Sequence, residues 1–515
     1  MRHIFLFHSR QHMKRRTSLA CIILSVLSGL RAVESFAASP SYTNPILAGD
    51  YADPSIVKVG DDFYMTHSSF RYAPGLLIWK SRDLIHWSPV TRALQEYFGD
   101  IWAPDIVHHN GTFYIYSKST RGNFVIHAPS IEGPWSKPVL LNVGEIDPGH
   151  VVGPDGKRYL HYSKGTAVGL ADDGLSVTGE LKKVYDGWPF PEEWRTEGFC
   201  LEGPKLFFKD GYYHLISAQG GTAGASTSHM VVQARSRTPL GPWENSPYNP
   251  VIRTQSRVET WWSRGHGTVF EASPGDWWIV YHAYRNGART LGRQTLMEPV
   301  EWTPDGWLKS KAGQDPAGPI PVPKLPPAPL PPMALSDDFA GPKLGIQWQF
   351  WDEFEPGRFQ FRDHALVVKG KGETPADCSP MTIMAGDLAY EVTVDVEVEG
   401  NAKGGLILFY NPSAYAGMGI GDGALWSGTL ASLRKTRIQV PGKRMTLRIV
   451  FDHNEVDFLA GPDEKSLKKV ANSEDLSGYT HATFGGYLAL RPALYTAGDG
   501  NAVFRNFRYR KLNDQ

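Results

Sequence analysis

The sequence predicts an all-β protein: a five-bladed β-propeller followed by a β-sandwich of jelly-roll type. Three observations carry this. One pattern of acidic residue or His, short apolar strand, turn and aromatic-rich strand recurs five times between 53 and 283. A second body alternates apolar and polar residues with the period-2 signature of strands. Amphipathic helix is nearly absent from both.

The chain begins with a basic stretch, Lys14-Arg15-Arg16, then an apolar run from Leu19 to Leu30, then small residues Ser35 to Ala38. This is the layout of a secretory signal over 1–38, with Met13 as the expected start and Sec or twin-arginine export both open. The run is too short to span a bilayer, so the expected mature protein is exported, periplasmic or extracellular, with no membrane association.

Over 40–312 the repeats read DPSIVKVGDDFYMTHS from Asp53, PDIVHHNGTFYIYSK from Pro104, DPGHVVGPDGKRYLHYS from Asp147, EGPKLFFKDGYYHLISA from Glu202 and HGTVFEASPGDWWIVYHA from His266. Turns such as Asn110-Gly111 and Lys209-Asp210-Gly211 are hairpin chemistry. Repeats of about 40–60 residues, each several antiparallel strands, point to propeller blades. The segment 313–334 holds nine prolines between Pro316 and Pro332, so it is expected to be an extended, semi-rigid linker. From 335 to 515, runs such as Tyr390–Val398, Arg444–Asp452 and Asn501–Arg510 alternate as strands of a sandwich do. Cys200 and Cys378 are expected to be free, the alternative being one bridge between the domains; two cysteines so far apart make no disulfide framework.

Lys+Arg and Asp+Glu are both 53, so the net charge is zero and no long-range field favours nucleic acid. A neutral substrate fits. Aromatics reach 12%, with 16 Trp, side chains that commonly carry sugar rings. In a propeller the first strand of each blade lines the channel. The leading residues Asp53, Asp105, Asp147, Glu202 and His266 would then converge at one mouth. Asp105 shares the phase but reads as structural, pairing with a neighbour. Converging carboxylates are the requirement of glycoside hydrolysis: one acid protonates the leaving oxygen and one carboxylate activates water or attacks the sugar. A third raises the pKa of the acid by repulsion. The apolar setting of Glu202 (Phe199, Leu201, Pro204) would raise it further. His108-His109 and His161 lack a ligand set, so no zinc site is expected.

The strings ADPSIV, IWAPD, IDPG, EGPK, RGHGTV and LGRQT, in this order, resemble glycoside hydrolase family 43 over nearly all of 42–310. The trailing sandwich is similar to the concanavalin-like module of that family's β-xylosidase branch. The resemblance implies an inverting mechanism with Asp53 as general base, Asp147 as pKa modulator and Glu202 as general acid. It implies substrate contacts from Arg293 and His266, and an apolar wall of Trp102, Phe70 and Trp79 around the terminal sugar. No cofactor is required by this chemistry; the alternative reading of His266 is support of a structural Ca2+ in the channel, as in some relatives. The expected activity is exo-hydrolysis of terminal β-D-xylosyl or α-L-arabinofuranosyl units from hemicellulose oligosaccharides or polysaccharides. An endo-arabinanase-like hydrolase and a non-catalytic carbohydrate-binding propeller are the alternatives. The sequence leaves the oligomeric state open.

Overall fold

The computed structural model describes residues 40–311 and 315–513. The expected signal segment lies outside them. Five antiparallel sheets, four of four strands and one of five, follow one another along the chain. Their first strands are Ser55–Val59, Ile101–His109, Gly149–Val152, Glu202–Lys209 and Trp261–Ser273. Each packs beside the first strand of the next sheet, and the fifth packs beside the first, which closes a five-bladed ring. The seam is pinned where Thr268 Oγ1 donates to the Pro54 carbonyl at 2.8 Å. In the fourth blade two short strands, Glu244–Asn245 and Ile252–Arg253, share the place beside Met230–Ser236.

Regular hairpins build the blades. Asn110 and Gly111 both take left-handed φ (49° and 78°) between Ile101–His109 and Thr112–Ser119, as a two-residue turn with right-handed twist requires. Outer strands bury large apolar side chains between neighbouring blades, Ile115, Phe124 and Ile126 among them.

The proline-rich segment is bound rather than free. Ile320–Pro321 pairs with Ser41–Tyr42, and the Lys324 and Ala328 amides donate to Asp276 and Asp83. Prolines lack a donor, so the few remaining N–H groups fix the strap while Ile320 fills the core beneath.

The sandwich is organised by two long paired strands, Ala389–Asn411 and Arg491–Lys511. It contains the one α-helix among the described residues, His481–Phe484. The two bodies are not separated: Tyr72–Ala73 of the propeller pairs with Gln349–Trp351 of the sandwich. Phe70 and Tyr72 belong to the same buried cluster as Phe350, Trp351 and Phe409. Arg71 clasps Asp352 through two hydrogen bonds of 2.7 Å. The described residues from 41 to 513 form one compact unit.

Candidate active site

The five leading residues of the repeats fall into two layers. Four first strands open with a residue in the left-handed region followed by proline: Asp53 (φ 58°), Ala103 (38°), Asp147 (60°) and Gly203 (58°). His266-Gly267 takes that place in the fifth blade, with φ 53° at His266. The regular ladder starts two residues later, at Ser55, Asp105, Lys205 and Thr268, after an irregularity in blades two, four and five. The bulge turns the left-handed residue toward the mouth and the first ladder residue toward the channel. So Asp53, Asp147 and His266 share one phase, Glu202 stands one residue before it, and Asp105 two residues after it.

Asp105 is a floor residue. It accepts from Ser55 Oγ (3.0 Å), the His150 amide (2.8 Å) and Lys205 Nζ (2.9 Å). Lys205 also donates to the carbonyls of Pro104 (3.0 Å) and Pro148 (3.4 Å), so one ammonium ties blades two, three and four.

Above this floor lies a cavity of about 420 Å³. Its wall includes Asp53, Asp147, Glu202, His266, Arg293, Phe70 and Trp102, all expected from the sequence. Asp53 is held from every side. Its Oδ2 accepts from Ser68 Oγ at 2.5 Å, and its Oδ1 lies 3.3 Å from both Arg293 Nη1 and His266 Nδ1. His282 Nδ1 stands 3.1 Å from the same oxygen and from the Asp53 amide nitrogen. Burial alone would raise the Asp53 pKa; Arg293, His266 and His282 outweigh it and hold it well below the usual range. Burial drives His266 down to about 3 and lowers His282 as well. Arg293 supplies the fixed positive charge beside Asp53.

The other two carboxylates go the opposite way. Asp147 is pushed up to about 7 by burial and then by Asp53, although its Oδ2 accepts from the Gly203 amide at 3.0 Å. Glu202 rises well above the usual range through burial, then Asp147, then Asp53. One cavity therefore holds an ionised carboxylate that can take a proton and a protonated one that can give it.

The donor set does not fit Ca2+. Among the described residues two groups share His266, Asp53 with His266 and His282, and Glu202 with His229 and His266, each with ligand atoms within 4.8 Å of one another; in both, two of the three donors are imidazoles and only one is a carboxylate. Ca2+ takes six or more oxygens.

Residues 42–308 match the family "Glycosyl hydrolases family 43". The chain belongs to glycosyl hydrolase family 43. It is a glycoside hydrolase, and residues 336–510 match "Beta xylosidase C-terminal Concanavalin A-like domain". The chain is 31% identical over 429 residues to a non-reducing end α-L-arabinofuranosidase, BoGH43B, of Bacteroides ovatus, covering 76% of this chain and 77% of that protein. It is 33% identical to a xylan 1,3-β-xylosidase of a Vibrio species over 59% of this chain and 63% of that one. Among solved structures, the GH43 protein BlXynB of Bacillus licheniformis superposes with a TM-score of 0.84 at 28% identity, covering 92% of this chain and all of that one.

Two expectations about this family 43 hydrolase are corrected. Trp79 is not part of the cavity. It sits well inside the third strand of the first blade, Gly75–Ser81, four residues past the strand's start, whereas Arg293 reaches the cavity from the first position of its strand. Its ring is buried edge-to-face on Tyr51 at 5.3 Å, in the core under the strap. The repeat phase at Glu202 and Asp105 is shifted, as described above. Cys200 and Cys378 are free, as expected, and Cys200 lines the cavity.

The structure also adds residues that the sequence reading did not single out. Ser68 and His282 hold Asp53; His282 leaves a trace in the sequence as a polar break in the apolar run 277–284. Tyr487, from the sandwich, lines the cavity and lies 5.2 Å from the Arg293 guanidinium, opposite Phe70 at 5.4 Å. Its amide donates to His481 Nδ1 at 3.0 Å. No local signal marks it.

Proposed function

We propose that this protein is an exported, inverting exo-glycosidase that removes terminal β-D-xylosyl or α-L-arabinofuranosyl units from xylan or arabinoxylan fragments. The observation that carries the reading is the convergence of Asp53, Asp147 and Glu202 on one cavity, with Arg293 beside Asp53 and the two other carboxylates beside Glu202. Glu202 donates its proton to the glycosidic oxygen as the bond to the anomeric carbon breaks. Asp53 takes a proton from the water that attacks the opposite face, so the product has inverted configuration. Asp147 repels charge on Glu202 and, through the Gly203 amide, fixes the strand that carries it. Arg293 and the Phe70 and Trp102 rings hold the terminal sugar: guanidinium donors suit vicinal hydroxyls and aromatic faces suit C–H surfaces. The names of the relatives support the two sugars, and the N-terminal composition supports export. Closure of one side by Tyr487 and Gly486 favours a pocket over the open cleft that endo-action needs.

Aryl β-D-xylosides and α-L-arabinofuranosides assay the sugar. Proton NMR of p-nitrophenyl β-D-xyloside hydrolysis, which releases a single xylose, should show α-xylose first, with β-xylose appearing only by mutarotation; initial release of β-xylose would overturn inversion. Affinity for xylan without turnover on any of these substrates would favour the binding-module reading.

A further inference from the structure

We propose that Lys205 is the resident cation of the propeller channel: its ammonium positions the Asp147–Pro148 peptide behind the catalytic carboxylates, and the site needs no divalent ion. The role assigned to Asp147 rests on the function proposed above. The claim about the ion stands on geometry alone.

Lysine is almost never fully buried unless paired, and Lys205 is only 5% exposed. Its three acceptors are the kind a hard cation collects, one carboxylate oxygen and two backbone carbonyls: Asp105 Oδ1, Pro104 O and Pro148 O. Two of these come from one blade and one from the next, while the ammonium comes from a third. The Pro148 carbonyl follows directly on Asp147, so the ammonium holds the peptide that sets the Asp147 side chain. Close approach of the third and fourth blades is built in at Gly149, where a Cβ would stand 1.9 Å from the Pro204 carbonyl. Without the ammonium, Asp105 would be an uncompensated buried charge, which proteins avoid.

Lys205 also belongs to the electrostatics of the acid. The charged and titratable groups facing Asp147 are Asp53, Glu202, Arg293 and Lys205, and the last two lower its pKa against burial and Asp53. Removing Lys205 therefore lets Asp147 take up its proton at higher pH. Lys205 is a positioning residue: it touches carboxylate and carbonyl oxygens of the protein and does not line the cavity.

The test uses the full chain. Wild-type melting temperature and hydrolysis of p-nitrophenyl β-D-xyloside and α-L-arabinofuranoside are measured after EDTA treatment and again with millimolar CaCl2; the melting temperature should not shift and the rates should stay within about twofold. Loss with EDTA and recovery with CaCl2 would overturn the claim. Lys205→Met should lower kcat about tenfold or more with little change in KM, and should move the acidic limb of the kcat/KM profile up by about one pH unit. A folded Lys205→Met enzyme with the wild-type pH profile would overturn the positioning role. Should Lys205→Met fail to fold, Asp105→Asn, which keeps an acceptor oxygen but removes the countercharge, decides: a limb unmoved from wild type supports Lys205 as the charge that Asp147 feels, and a limb moved up contradicts it. Should the wild type hydrolyse no aryl glycoside, the functional reading fails, and the response of the melting temperature to EDTA and CaCl2 still decides whether the channel holds an ion.

Discussion

Glu202 and Asp53 are carboxylates in the same cavity, yet Asp53 meets a guanidinium and a serine hydroxyl, whereas Glu202 meets burial and two other carboxylates. Asp147, like Glu202, has its pKa raised by burial and by its carboxylate neighbours. Its folded pKa, about 7, lies above its unfolded value, so the folded state binds the extra proton. Its contribution to stability is present below the unfolded pKa and is lost as pH rises through 7. Asp147→Asn removes that penalty and keeps an acceptor for the Gly203 amide. The variant should melt above wild type at pH 8, by an amount on the order of a few kcal/mol at most, with the gap closing toward pH 5, and its activity should fall. A gap that widens toward pH 5 would show that Asp147 is stabilised as the anion. These three carboxylates were legible because each stands beside Pro or Gly at the start of a repeat. Trp79 was misplaced because an aromatic in an apolar strand reads the same whether it stands at the strand's start or well inside it.

At the scale of the element, what counts is the irregular start of each first strand. A left-handed residue followed by Pro, or by Gly in the fifth blade, turns one side chain up to the sugar and the next ladder residue down to the floor. Gly203 is the sharpest case: φ is 58°, and a Cβ would come 2.9 Å from His266 Nε2. Gly203→Ala should cost about 1 kcal/mol of backbone strain alone, and displacing His266 should lower kcat further. A thermal melt and an aryl-xyloside assay check both, and wild-type values in both would contradict the description of this turn. The five repeats were visible as sequence, but their phase was not. A one- or two-residue bulge leaves the apolar pattern of the following strand intact, so Asp105 and Glu202 seemed equivalent to Asp53.

For the whole molecule, the propeller and sandwich share one core, and the site is completed across it by Tyr487. The proline-rich segment suggested two bodies on a spacer because its composition excludes helix and central strand. Composition does not show that Ile320 is buried or that Asp83 and Asp276 receive its amides. Tyr487 was invisible for a related reason: a Gly-Gly-Tyr turn acquires meaning only when another domain's arginine lies beneath it. The full chain should therefore melt in a single transition, and a propeller ending at 312 should be insoluble or inactive because Phe70 and Tyr72 lose their cover. Two resolved transitions, or an active isolated propeller, would contradict the shared core. Tyr487→Ala should lower kcat/KM on xylobiose about tenfold, ~1.4 kcal/mol, while leaving the melting temperature nearly unchanged.

The central claim is that Glu202 is the proton donor, and leaving-group dependence tests it most directly. Glu202→Gln should lose at least about a thousandfold in kcat on xylobiose, whose leaving oxygen needs a proton. On a dinitrophenyl xyloside, whose leaving group departs as an anion, the same variant should lose about tenfold or less. Equal losses on the two substrates would contradict the assignment.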